Sequence, residues 1–291
     1  MTKKYISISE VKGVPINRLS TGSLELDWMY GTSCFGSPAC YQSGMPSGTI
    51  SNWIGEAGVG KSRMAIAVSK RVVKNGGTVL YFQNEVEIPT FANWVNNSNT
   101  ILEKFYCSSV TSLSEQLEII REVAPDVVFV DSINLLDEFK SGTASDIKSV
   151  VDGFREVIKE TGSHVIFLCQ LNKDGSAKGS SALTHLSDIN FVLTRDPLGF
   201  RISVGAKHRY GKTGPSIYGI WKHTSTGVER VSNNRCLDTE WCLHYTVDAW
   251  YSGSGKVATP NEEKDKEDNS WDIFYKNYQK DNGKNFRLKI V

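Results

Sequence analysis

The run Gly55-Glu56-Ala57-Gly58-Val59-Gly60-Lys61-Ser62 has the residue types and spacing of a phosphate cradle, G-x-x-x-x-G-K-[ST]. Glycines let the backbone wrap an anion closely, and the N–H groups opening the next helix supply positive potential. Lys61 would neutralise the β- and γ-phosphates of a nucleoside triphosphate, and Ser62 would ligate Mg²⁺. Arg63 follows directly and is counted with the same binding segment. ATP and Mg²⁺ are the expected cofactors.

A magnesium shell beside such a loop draws on a second strand that ends in a carboxylate, and Val127-Val-Phe-Val-Asp131 supplies one. Hydrolysis also needs a group that polarises the attacking water. Glu85 follows the predicted strand Thr78 to Gln83, at the carboxyl end of the sheet where open α/β folds bind ligands. Glu87 competes for that role, and residue order alone does not choose between them.

These groups need a scaffold that delivers them to one edge. Thr49 to Ile54 reads as a buried strand, and Lys61 to Asn75 as a helix with Met64, Ile66, Ala67, Val68, Val72 and Val73 at helical spacing, stopped by Gly76-Gly77. A strand over Thr78 to Gln83, a helix around Thr111 to Val123 and a strand over Val127 to Asp131 follow. A longer helix, Ala144 to Thr161, ends at Gly162 before the strand His164 to Cys169. Alternating helices and strands rich in Val, Ile and Phe predict an α/β fold with a mostly parallel sheet covered on both faces. From Ile189 the pattern changes to successive strands, Phe191 to Thr194, Phe200 to Ala206, Ile217 to Lys222 and Gly227 to Val231, which predict an antiparallel extension at one edge. The expected organisation is an N-terminal arm over 1–16, a core over 17–250, a charged linker over 251–270 and a tail or short docking segment over 271–291.

Composition narrows the class without naming a partner. The 291 residues carry 33 Lys and Arg against 32 Asp and Glu, so any polyanion site must be a local patch. With 40% hydrophobic and 10% aromatic residues, a disordered or collagen-like chain is excluded. No run reaches the roughly 18–20 apolar residues of a membrane span, and Met1 to Glu10 lacks a signal-peptide core. The six cysteines include no Cys-x-x-Cys pair, which argues against a zinc knuckle and for free thiols in a reducing, cytoplasmic setting.

Several ordered motifs resemble a known family. Arg18-Leu-Ser-Thr-Gly22 with Leu24-Glu-Leu-Asp27, then Gly-Met-Pro-Ser-Gly48 and the phosphate loop, are similar to the opening of the RadA/Sms-type core of the RecA superfamily. Cys169-Gln-Leu-Asn-Lys173-Asp-Gly175 with Gly179, His185 and Asp188 resembles the same family, as does Lys207-His-Arg209-Tyr-Gly211. With Thr213-Gly214, that last stretch is also similar to the K-x-R-x-G-x-T-G motif of DnaB-type replicative helicases. The resemblance covers about residues 17 to 222.

It implies a RecA-like fold, ATP hydrolysis coupled to work on single-stranded DNA, and a homo-oligomer, a hexameric ring or a filament, with ATP at subunit interfaces. By resemblance, Glu85 matches the water-activating glutamate, Asp131 the Walker B aspartate, and Gln170 the polar residue that senses the γ-phosphate. Asn172 to Ser181 would then be a DNA-binding loop, with Lys173 and Lys178 as phosphate contacts; an ordinary surface turn is the alternative. Lys207 and Arg209, two apart on a predicted strand, would share a face and reach a neighbour's γ-phosphate. The zinc ribbon and protease-like domain of typical RadA/Sms proteins are missing from this sequence, and residues between Gly31 and Gly44 form an apparent insertion. A reduced core is expected, acting in the cytoplasm near the nucleoid in recombination, branch migration or strand exchange. The alternatives are a DnaB-like helicase core, a mediator that hydrolyses little, and a signalling or small-molecule kinase P-loop protein.

Overall fold

Alternation within the central strands decides the layering. In the computed structural model, β6 (Val127–Asp131) sends Val127 and Phe129 to one face and Val128 and Val130 to the other. In β7 (His164–Gln170), Ile166 and Leu168 join the first face, and Val165, Phe167 and Cys169 the second. Both sets are buried, so each face must be covered by helices. The structure describes residues 7, 16–31, 43–96, 102–139, 143–171, 180–211, 213–214, 218–224 and 227–230.

The remaining strands are β1 (Arg18–Leu19), β2 (Met45–Pro46), β3 (Ile50–Gly55), β4 (Val79–Gln83), β5 (Phe105–Ser108), β8 (Ile189–Asp196), β9 (Gly199–His208), β10 (Tyr218–Thr224) and β11 (Gly227–Arg230). Nine of the eleven strands among the described residues form one sheet in the order β11-β10-β9-β8-β3-β7-β6-β4-β5. From β8 to β5 every pairing is parallel, and from β8 outward to β11 every pairing is antiparallel. This is the α/β architecture expected, including the antiparallel edge. The short β1 and β2 pair separately.

The helices are α1 (Leu24–Tyr30), α2 (Lys61–Lys74), α3 (Ile88–Val95), α4 (Leu113–Val123), α5 (Ala144–Thr161) and α6 (Ser180–Leu186). One face carries Met64, Val68 and Val72 of α2 with Tyr30 of α1 and Phe91 of α3. The other carries Ile147, Val150, Val151, Phe154, Val157 and Ile158 of α5, a stripe at spacings of three and one. Thr143 caps α5 by accepting from Asp146 N, and Gly162 ends it at φ 75°. Among the described residues no helix is long and apolar enough to cross a membrane.

Six elements go beyond the sequence expectation: α1, α3, the edge strand β5, the short β1 and β2, and α6, which takes Ser180 and Ser181 out of the expected loop. Arg18 and the Ser20-Thr-Gly22 stretch prove to be structural. Arg18 Nη1 donates to the carbonyls of Tyr30, Gly31 and Gly44, while Asp27 accepts from Ser20 Oγ and from the Thr21 amide and hydroxyl. Segment 172–179 and everything after 230, including the linker and tail, lie outside the described residues. The described cysteines, Cys107 and Cys169, are free thiols.

A buried polar chain runs beneath the site. Trp53 Nε1 donates to Tyr30 Oη, which bonds Ser51 Oγ, which bonds His164 Nε2, while His164 Nδ1 faces the Pro46 carbonyl at 3.0 Å. That carbonyl can only accept, which favours a proton on Nδ1, and burial keeps the ring neutral near pH 7. Burial pushes His164 down to about 4, and burial does the same to His208. Both take up protons more readily unfolded, near pH 6.5, so the stability they contribute is complete above that pH and lost as pH falls towards 4. Between pH 7 and pH 5 each should cost about 2 kcal/mol of folding free energy. Urea midpoints across this range should therefore fall, and His164→Gln should flatten the slope. An unchanged slope in a folded variant would exclude His164 as a contributor.

Candidate functional site

The parallel strands deliver their carboxyl ends to one edge, where the sequence candidates gather. The loop after β3 turns through Gly58 (φ 71°) and Gly60 (φ 115°) before α2 begins at Lys61. Gly60 has a second constraint, because a Cβ there would lie 2.4 Å from His223 Nε2. Only glycine meets both the dihedral and the close approach. Lys61 is buried, and its Nζ donates to the carbonyls of Gly55 at 2.8 Å and Glu56 at 2.9 Å. Burial lowers its pKa, opposed by the nearby Asp131, Cys169, Glu85 and Glu56.

Asp131 ends β6 and is 2% exposed. Burial raises its pKa, while hydrogen bonds from Ser62 and Tyr81 pull it back. Tyr81 Oη donates to Asp131 Oδ2 at 2.7 Å. Ser62 hydroxyl and Asp131 carboxylate thus meet, a pair of hard oxygen donors that fits a Mg²⁺ ion carried by a nucleotide. Among the described residues no group of three His, Cys, Asp or Glu could hold a metal without such a ligand.

Glu85 and Glu87 are separated by geometry. Glu87 is the N-cap residue of α3, with its carbonyl accepting from Phe91 N. Glu85 is held over the sheet edge: its amide donates to Gln83 Oε1 at 2.8 Å, and its Oε1 accepts from Gln170 Nε2 at 3.0 Å. Gln170 ends β7, so one hydrogen bond spans from the β4 side of the edge to the strand beside the phosphate loop. The Asn84 amide donates to the Asp131 carbonyl and Leu171 N donates to the Gly55 carbonyl, which ties the four strand ends together.

Lys207 and Arg209 are not in this cluster. Strand β9 runs antiparallel to β8, pairing Asp196 with Gly199 near the phosphate loop and Ile189 with His208 at the opposite end. At about 3.3 Å per residue the pair stands roughly 25 Å from its own loop. Arg209 lies just past the end of β9 rather than within it. Lys207 Nζ donates to the His185 carbonyl, and Arg209 Nη1 to Asp188 Oδ1 at 2.8 Å. Lys173 and Lys178 lie outside the described residues.

Three neighbours of the loop were missed by sequence reading. Tyr81 sits in a buried strand, where a phenol needs a polar partner, the one signal available beforehand. Arg195 Nη2 donates to the Ala57 carbonyl at 3.3 Å, and its Nε lies 3.6 Å from Glu56 Oε2. His223 stacks on Phe200 with centroids 4.9 Å apart and bonds the Val59 backbone; burial, then the nearby Arg63, lowers its pKa. Neither spacing nor composition could place these two beside the loop, because they arrive on the antiparallel edge.

Comparison with known proteins agrees with this geometry. A family model described as an AAA domain matches residues 39–176. The DNA repair protein RadA of Halalkalibacterium halodurans is 26% identical over 184 residues, covering 62% of this chain and 40% of that protein. The chain carries a RecA-like P-loop core that resembles RadA. RadA of Aquifex aeolicus is 27% identical over 198 residues, 65% of this chain and 43% of that protein. RadA of Mycolicibacterium smegmatis is 23% identical over 241 residues, 80% and 49% respectively. The chain thus spans two fifths to one half of the length of these relatives. Within this RecA-like core the phosphate loop, Asp131, Glu85 and Gln170 converge at one edge of the sheet.

Proposed function

We propose that the protein hydrolyses ATP with Mg²⁺ and couples that reaction to work on single-stranded DNA during repair or recombination; the phosphate loop supports the first part, and relatives named DNA repair protein RadA support a role in repair. Gly55 to Arg63 would hold the nucleotide, with Lys61 on the β- and γ-phosphates and Ser62 and Asp131 around the cation. A bound Mg²⁺ would supply charge neutralisation at the phosphates. Glu85 would orient and deprotonate the attacking water, and Gln170 would read the γ-phosphate.

The observation that supports this reading most is the 3.0 Å bond between Gln170 and Glu85. Gln170 lies one residue before the end of the described segment that leads into 172–179, where Lys173 and Lys178 are the candidate DNA contacts. A strand seated there would act on the water-orienting carboxylate through one side chain. Lys207 and Arg209, too far to serve their own loop, would complete a neighbour's site in a ring or filament. The core would occupy 17–250 and act in the cytoplasm at the nucleoid.

Steady-state ATP hydrolysis with and without single-stranded DNA tests this directly, with Lys61→Ala protein as the blank. A several-fold rise with DNA is expected. A rate indifferent to DNA, with no DNA binding in the presence of ATP, would move the reading to a signalling P-loop protein. Given a rise, a forked-duplex unwinding assay separates a DnaB-like helicase from a strand-exchange or branch-migration protein.

A further inference from the structure

At the end of the sheet opposite the phosphate loop, Asp188 is the hub of a charged network that the proposed chemistry leaves unexplained. Its side chain is 3% exposed. Oδ2 accepts from Ile50 N at 3.0 Å, at the start of the strand that leads to the phosphate loop. Oδ1 accepts from Arg209 Nη1 at 2.8 Å and from Arg155 Nη2 of α5 at 3.3 Å. The backbone is locked as well: Asp188 N donates to the Ile50 carbonyl, and Arg209 N donates to the Asp188 carbonyl at 3.0 Å. Arg155 also donates to the Leu186 carbonyl, and Lys207 to that of His185, so the last turn of α6 gathers both remaining cations.

One carboxylate thus faces Arg155, Lys207 and Arg209, an excess of positive charge at a partly open surface where the Arg209 side chain is 53% exposed. A cluster meant only to neutralise Asp188 would need one partner. Three cations around one buried anion leave charge available to a second, external anion. An exposed arginine ordinarily samples many rotamers, and a carboxylate fixed by the Ile50 amide, on a residue whose main chain makes two further bonds, removes that freedom before any partner arrives.

We propose that Asp188 is a positioning residue that presents Arg209 to the triphosphate of a neighbouring subunit, with Arg155 and the carbonyl end of α6 bracing the arrangement. This rests on the reading of Arg209 as a trans-acting cation and adds what places it. Asp188 itself touches no nucleotide.

The test mixes subunits and follows ATP hydrolysis. Arg209→Ala subunits keep their own phosphate loop, so adding Lys61→Ala subunits, which lack a working loop but retain Arg209, should restore part of the activity. Asp188→Asn subunits should behave the same way. Alone they should lose about 10- to 100-fold in kcat, the scale of a group misplaced by an ångström, with nucleotide affinity and KM unchanged. Mixed with Lys61→Ala subunits they should recover. A folded Asp188→Asn protein that hydrolyses ATP at the wild-type rate overturns the proposal, as does one that stays inactive in mixtures where Arg209→Ala recovers. Failure of Arg209→Ala to be rescued in verified mixed assemblies counts instead against the trans reading beneath it. Should Asp188→Asn not fold, arginine-labelled wild-type protein gives a second readout by NMR. The Arg209 guanidinium signal, assigned by its loss in Arg209→Ala, should be resolved and slow to exchange; a signal merged with the free arginines overturns the proposal.

Discussion

Lys61→Ala should lower steady-state ATP hydrolysis by about 10²- to 10³-fold or more, the loss typical of deleting one preorganised charge at a reacting centre. Lys61 is buried at the mouth of the loop with its ammonium held by the Gly55 and Glu56 carbonyls. Burial has already removed most of its water, so its charge acts on a phosphate through a medium far less screening than bulk solvent. The two carbonyls it leaves lie on the loop and can hydrate, so stability should change by only about 1 kcal/mol. Hydrolysis and thermal melting of the purified variant check both halves. A folded Lys61→Ala protein with wild-type turnover would remove the loop from the chemistry altogether.

Glu85→Gln separates binding from turnover. The substitution keeps an oxygen for Gln170 Nε2 and leaves the Gln83 bond to the Glu85 amide intact, so the edge of the sheet should hold its shape. What disappears is basicity. Turnover should fall by about 10²- to 10⁴-fold, the range for loss of a general base, while ATP still binds, as fluorescent-nucleotide titration would report. Glu87→Gln is the matched comparison: that residue starts α3 and makes no described contact with Gln170. If Glu87→Gln abolished turnover and Glu85→Gln did not, the two assignments would have to be exchanged.

How much of this was legible in the sequence follows from the range of each interaction. The phosphate loop is contiguous, and its chemistry depends on local dihedrals at Gly58 and Gly60, so eight residues announce it. Helix α5 was bounded correctly because Thr143, the apolar stripe and Gly162 are local signals. Apolar runs such as Val127-Val-Phe-Val likewise declared strands buried on two faces. The short α3, α6 and β5 escaped because seven or eight residues, or four, carry too little periodicity to stand out.

From the sequence alone one learns that this is an α/β P-loop protein with Asp131 at the end of one predicted strand and a glutamate near residue 85 after another. Residue types and local spacing suffice for that, since each motif is read over a few bonds. The tertiary structure decided which glutamate meets Gln170, that Arg195 and His223 come to the loop from the antiparallel edge, and that Asp188 holds Arg209. These contacts join residues up to 163 positions apart, as Gly60 and His223 are. No local pattern encodes such pairs; strand order and register create them when the two faces of the sheet are buried.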